Sequence, residues 1–215
     1  MLTLHRDDLD EDERRDLPYW IVSLDPGKSQ DPSALTITRV HVRDEDDANF
    51  YEVVHAQEWP LKTLHTTVRD DIGVLMLKPQ LAGRVVLVID QGGVGNAVIE
   101  LYQGRAAFSR ARIVGVMFTG GDNPTEDAVN DVYKVPKHEI VDNMLVILQL
   151  GRLRIHEDIP ECRKIWDQFA AFKIKRDDQT GRMRFQAAEG EHDDLVTSLA
   201  QGLWIGEHVW EPEIG

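Results

Sequence analysis

The sequence has a single cysteine, Cys162, which excludes an internal disulfide framework and a cysteine-rich metal site. It has no apolar run of membrane-spanning length, and its first residues are too charged for a secretory signal, so a protein of the cell interior with no membrane partner is expected. Positive charge is in short supply: 24 Lys and Arg stand against 38 Asp and Glu, a net charge of −14. That balance argues against a wholly electrostatic hold on nucleic acid, but it leaves room for a local basic groove on an acidic body. A phosphate-binding loop is also missing. Gly27-Lys28-Ser29 has the ending of one, but five residues before Gly27 stands Val22 in place of the required glycine, and Pro26 removes a backbone donor. Gly92, Gly93 and Gly95 make no G-x-G-x-x-G, so a dinucleotide site is not expected.

What is present suits one compact domain with a sizeable core. Residues 1–16 carry seven acids and three bases and few core-forming residues, so 1–18 is expected as a flexible acidic arm or interdomain linker and 19–210 as the folded domain. From Lys134 to Gln186 the balance reverses, with eleven bases against eight acids.

Pattern predicts the elements. YWIVSLD (19–25), ALTITRVHV (34–42) and FYEVVHAQEW (50–59) read as three strands on short links, an antiparallel meander. A helix is expected from just after Pro60 to near Lys78-Pro79. RVVLVID (84–90) and ARIVGVMFT (111–119) are continuous apolar runs, as in strands buried on both faces. Helices are expected in VGNAVIELYQG, closed by Gly104, in KHEIVDNMLVILQLG, opened by Pro136 and closed by Gly151, in PECRKIWDQFAAF, and in HDDLVTSLAQGLWIG. KIKRDDQTGRMRFQ reads as a hairpin turning at 177–181. The order βββ-α-β-α-β-α gives a mixed five-stranded sheet, three strands antiparallel and two parallel, with helices on both faces and an added hairpin. Ribonuclease-H-like domains have this layout.

Asp25 and Asp90 each end an apolar strand, and neighbouring strand ends lie about 5 Å apart. Two carboxylates so placed repel and lose solvation unless a divalent cation lies between them. Asp193 and Asp194 open the last helix, where the dipole favours acids, and can complete such a site or cap the helix. Leu195, Val196, Leu199, Leu203 and Trp204 form the apolar stripe of that helix, and the wheel does not choose between the two acids. His192 is a candidate catalytic helper beside them. Oxygen ligands without cysteine suit Mg²⁺ or Mn²⁺, and two such ions can activate a water and stabilise the leaving oxygen of a phosphodiester.

Together Asp25, Asp90 with its glycine-rich turn, HDDLVTSLAQGLW and YKVPKHEIVDNMLVILQLGRLRI (133–155) resemble the nuclease domain of the large terminase subunit of tailed bacteriophages, over roughly 19–206. The resemblance implies a two-metal-ion endonuclease that cuts double-stranded viral DNA during genome packaging in the host cytoplasm. Asp25 and Asp90 would be metal ligands, with Asp193 or Asp194 as the third acid. It also implies as partners a packaging ATPase domain, the portal and the small terminase subunit, the chain standing as an excised or separately encoded nuclease half. Lys134, Lys137, Lys173, Lys175, Arg176, Arg182 and Arg184 are the expected DNA contacts. A Holliday-junction resolvase-like nuclease shares the DPG opening but usually has Glu as its second acid. An actin-like or sugar-kinase-like nucleotide-binding domain would need a duplicated domain, for which 215 residues leave no room.

Overall fold

In a computed structural model of the chain the described residues are 19–27, 31–41, 48–81, 84–92, 96–171, 173–176, 183–186 and 193–209. The expected acidic arm (1–18), Lys28 and Ser29, Gly93 and Gly95, the turn at 177–181, Arg182 and His192 lie outside them.

The three predicted first strands form as β1 (Tyr19–Asp25), β2 (Ala34–His41) and β3 (Phe50–Glu58). They make the expected meander, Tyr19 opposite Val40 and Ala34 opposite Glu58, with one register shift between Ile37 and Thr38. Helix α1 (His65–Met76) begins later than Pro60. The chain first makes a turn in which Lys62 has φ 68° and the Thr63 hydroxyl donates to the Pro60 carbonyl at 2.6 Å, and a left-handed residue cannot continue a helix. β4 (Arg84–Asp90) returns parallel to β1, and α2 (Asn96–Tyr102) leads to β5 (Ala111–Thr119), parallel to β4.

Those five strands are the centre of a wider sheet. Its order is β6-β7-β5-β4-β1-β2-β3-β8, where β6 is Thr125–Asp127, β7 Val132–Pro136 and β8 Leu153–Ile155. Sequence pattern does not predict these three extensions. β6 and β8 have three residues each, too few to show alternation, and β7 ends on Pro136, which cannot donate to a ladder and so is accepted only at a strand end. After β7 come α3 (Lys137–Gln149) and α4 (Cys162–Ala171), then the expected hairpin, β9 (Lys173–Arg176) with β10 (Met183–Gln186), and finally α5 (Asp194–His208). Gly104 and Gly151, expected as helix stops, have φ 69° and 65°.

Helices cover both faces. Strand alternation sends Trp20, Val22, Leu24, Leu87 and Ile89 to one side, against Val68 and Ile72 of α1 and Val98, Ile99 and Tyr102 of α2. It sends Ile21, Val86, Val88, Val114 and Val116 to the other side, against α3, α4 and α5. Every residue of α5 from Asp194 to Gly206 is buried, which is why this helix shows apolar residues around most of its circumference. Each fully buried Leu, Ile or Val stabilises that placement by about 1.5–3 kcal/mol. Among the described residues no helix is long and apolar enough to cross a membrane.

Candidate active site

The parallel ladder between β1 and β4 ends at the pair Leu24–Ile89, so Asp25 and Asp90 are the next residue of each strand. Adjacent strands run about 4.8 Å apart, and alternation puts both acids on the side of Ile21, Val86 and Val88, the face covered by α5. Asp90 is buried and Asp25 partly buried. The Gly92 N–H donates to Asp90 Oδ1 at 2.6 Å. A Cβ on residue 92 would stand 2.9 Å from that oxygen and 3.3 Å from Oδ2, so a side chain there would push the carboxylate aside. The Gln91 N–H still pairs with the Val116 carbonyl at 2.7 Å, which fixes the strand end on which Asp90 sits.

Helix α5 runs antiparallel to β1, and small or polar residues let it approach closely. A Cβ on Gly206 would lie 2.9 Å from Ile21 Cδ1, and one on Gly202 3.0 Å from Ile21 Cγ2 and 3.1 Å from Ser23 Cβ. The Ser198 hydroxyl donates to the Ser23 carbonyl at 2.7 Å, and Gln201 Nε2 donates to the Leu24 carbonyl at 2.8 Å. Four helical residues rise about 6 Å, close to the roughly 6.6 Å of two strand residues. The sequence of contacts 206, 202, 198 therefore steps along β1 toward its C-terminal end, and one further turn brings Asp194 level with Asp25. Asp194 is 6% exposed.

Asp193 goes elsewhere. It holds the N-cap position of α5, and its carbonyl accepts the Thr197 N–H at 2.8 Å, but its carboxylate makes no cap bond. Its Oδ2 lies 3.5 Å from Lys137 Nζ, with the two side chains 24% and 40% exposed. Lys137 is the first residue of α3, directly after β7, whose C-terminal end lies along the same sheet edge as that of β5.

The described bases among the expected DNA contacts fall in three places. Lys137 stands beside Asp193. Lys134 is exposed and alternates with Tyr133 and Val135, which enter the core under α5, so it lies on the opposite face of the sheet. Lys173, Lys175, Arg176 and Arg184 belong to the β9–β10 hairpin, whose β10 strand lies near α3. Arg182 and His192 lie outside the described residues.

By donor chemistry the three acids fit a hard divalent cation: carboxylate oxygens only, Asp90 cradled by a glycine loop, and Asp194 on the first turn of a helix. Among the described residues no three His, Cys, Asp or Glu side chains, these acids included, are gathered closely enough to hold a metal ion. Sequence reading did not single out Ser198, Gly202 and Gly206. Their spacing of four inside an apolar helix was the available signal for a face that touches backbone.

No family model and no curated protein matches the chain. Solved structures do. The large terminase nuclease from thermophilic phage G20c superposes with a TM-score of 0.58 at 18% identity, covering 86% of this chain and 81% of that one. An Mn-soaked, inhibitor-bound human cytomegalovirus terminase nuclease domain gives 0.56 at 12% identity, covering 90% and 86%. The large terminase nuclease domain from bacteriophage SPP1 with bound Mn gives 0.53 at 11% identity, covering 92% of each. At these identities the likeness is one of fold: the chain has the ribonuclease-H-like fold of terminase nuclease domains.

Proposed function

We propose that the chain is a metal-dependent endonuclease that hydrolyses phosphodiester bonds of double-stranded viral DNA during genome packaging, the nuclease half of a large terminase subunit. The observation that carries this reading is that Asp25 and Asp90 end neighbouring parallel strands on the face that α5 covers, the helix that Asp194 opens. Similarity of fold to terminase nuclease domains, one of them with bound Mn, supports it.

Asp25, Asp90 and Asp194 would hold two Mg²⁺ or Mn²⁺ ions, which supply charge neutralisation at the phosphodiester and a more acidic water. The chain's own part is positional. Gly92 fixes Asp90 through a backbone N–H. The dipole of α5 offsets part of the cost of Asp194, and the seating of that helix on β1 sets the distance between the third acid and the other two. Lys137 and the hairpin bases give the acidic body a local cationic border along which a DNA backbone can run. No described element resembles a helix built to read base edges, so low sequence specificity follows. A packaging ATPase, portal and small terminase subunit are the proposed partners, in the host cytoplasm.

The test is nicking of supercoiled plasmid by the purified chain. Cleavage should need Mg²⁺ or Mn²⁺, stop with chelator, and disappear in Asp25→Asn and in Asp90→Asn while the circular dichroism spectrum is kept. Undiminished cleavage in both variants would remove the assigned site.

A further inference from the structure

We infer that Asp193 is the counter-ion that positions Lys137 for a DNA phosphate, and that it is not a metal ligand. This rests on the nuclease reading above, but its first measurement needs no cleavage.

Three observations converge. Asp193 is the N-cap of α5, with φ −119° and ψ 15°, so its side chain leaves the chain outside the regular helix that Asp194 opens. Asp194 is buried, and the carboxylate of Asp193 is turned toward α3, 3.5 Å from Lys137 Nζ. Asp193 also leaves the capping role that its position would offer, since its carboxylate makes no cap bond. Lys137, for its part, stands where local rules disfavour it. A cation on the first residue of a 13-residue helix opposes the helix dipole, and Asp193 offsets that cost. Departures from local preference with a dedicated compensation are characteristic of functional positions.

The pair is also exchangeable. Its side chains are 40% and 24% exposed, and ion pairs in that setting are weak. A phosphate oxygen can therefore take the ammonium from Asp193 at little cost. Without Asp193 the long Lys137 side chain would sample many rotamers, and ordering it would be charged to the binding step. Lys137 thus acts as a substrate-positioning residue at the border of the acid cluster, and Asp193 acts through it.

The experiment compares wild type with K137A, K137R, D193N, K137A/D193N and D194N. Mn²⁺ binding is read first, by electron paramagnetic resonance without DNA. D193N should bind Mn²⁺ as wild type does, and D194N should bind it weakly. Steady-state cleavage of a duplex is read second. K137A should raise KM about tenfold with kcat changed less than about threefold, the signature of lost ground-state binding. K137R should restore most of the loss. D193N should raise KM less than K137A does, and the double variant should be no worse than K137A alone, since Asp193 acts only through the lysine. Loss of Mn²⁺ binding in D193N, an unchanged KM in K137A, or additive effects in the double variant would overturn the inference. If Asp25→Asn still cuts DNA, the site assignment fails instead, and the Mn²⁺ comparison of D193N with D194N reports that separately.

Discussion

Replacing Glu207 by Gln tests how firmly the helix that carries Asp194 is anchored at its other end. Arg152 donates from Nη1 to Glu207 Oε1 at 3.0 Å and from Nη2 to Oε2 at 2.8 Å, and the Tyr51 hydroxyl donates to Oε1 at 2.6 Å. Arg152 Nη1 also reaches the Asn49 carbonyl at 2.9 Å, so one cluster ties α5 to β3 and to the start of β8. Glutamine keeps the size but turns an amide N–H₂ toward a guanidinium donor and leaves Arg152, only 12% exposed, without its counter-charge. Breaking a fully buried pair costs about 3–5 kcal/mol, and the remaining exposure of this one reduces the expectation to about 2–3 kcal/mol. At 215 residues that is a fall in Tm of about 5–10 °C. Burial pushes the Glu207 carboxyl up, but the hydrogen bonds from Arg152 and Tyr51 outweigh it and hold the group below the ordinary glutamate range. Burial, with Glu207 second, raises the Tyr51 phenol, which stays a neutral donor. The sign follows. A lowered carboxyl contributes stability that is fully present above the unfolded value of about 4.3 and lost as pH falls through the lowered folded value. Thermal melts followed by circular dichroism should therefore show the full gap between wild type and Glu207→Gln at pH 7, closing only in acid below the ordinary glutamate range. A pH 7 gap under about 1 °C, or one that widens on acidification, would refute the anchoring argument.

Gly92→Ala should displace the Asp90 carboxylate, because the new Cβ would stand 2.9 Å from Oδ1. Plasmid nicking should fall at least about tenfold while stability changes by about 1 kcal/mol or less, and unaltered nicking would mean the glycine cradle has no role in holding the acid. Neutralising Lys175, Arg176, Arg182 and Arg184 together should weaken DNA binding for all sequences and flatten its dependence on salt. Titrations between low and moderate salt read that slope, and an unchanged slope would make the hairpin a solvated surface element.

Asp25 and Asp90 were legible because each closes an apolar run, and the sheet pairs those runs in parallel. The meander, the buried strands β4 and β5, and the long helices were legible for the same reason: their periods are long enough to repeat. The short outer strands were not. Without β7, alternation along Tyr133, Lys134 and Val135 could not be read, and Lys134 was grouped with bases from which the sheet separates it. The choice between Asp193 and Asp194 was also closed to a helical wheel, since the first turn carries too little pattern. What distinguishes the two acids is long-range: α5 packs through Ser198, Gly202 and Gly206 against Ile21 and Ser23, and Asp193 pairs with Lys137, on a helix that lies elsewhere in the sequence. Such information lives in packing and has no local signature.

The central claim is that Asp25, Asp90 and Asp194 together hold the divalent ions of a nuclease. The most direct measurement is anomalous X-ray scattering from crystals of the chain soaked in Mn²⁺. A manganese peak is expected between the carboxylates of Asp25 and Asp90 and within coordinating reach of Asp194, lost in crystals of Asp90→Asn. A well-ordered site with no manganese there, or manganese bound only by Asp193 or elsewhere on the chain, would contradict it.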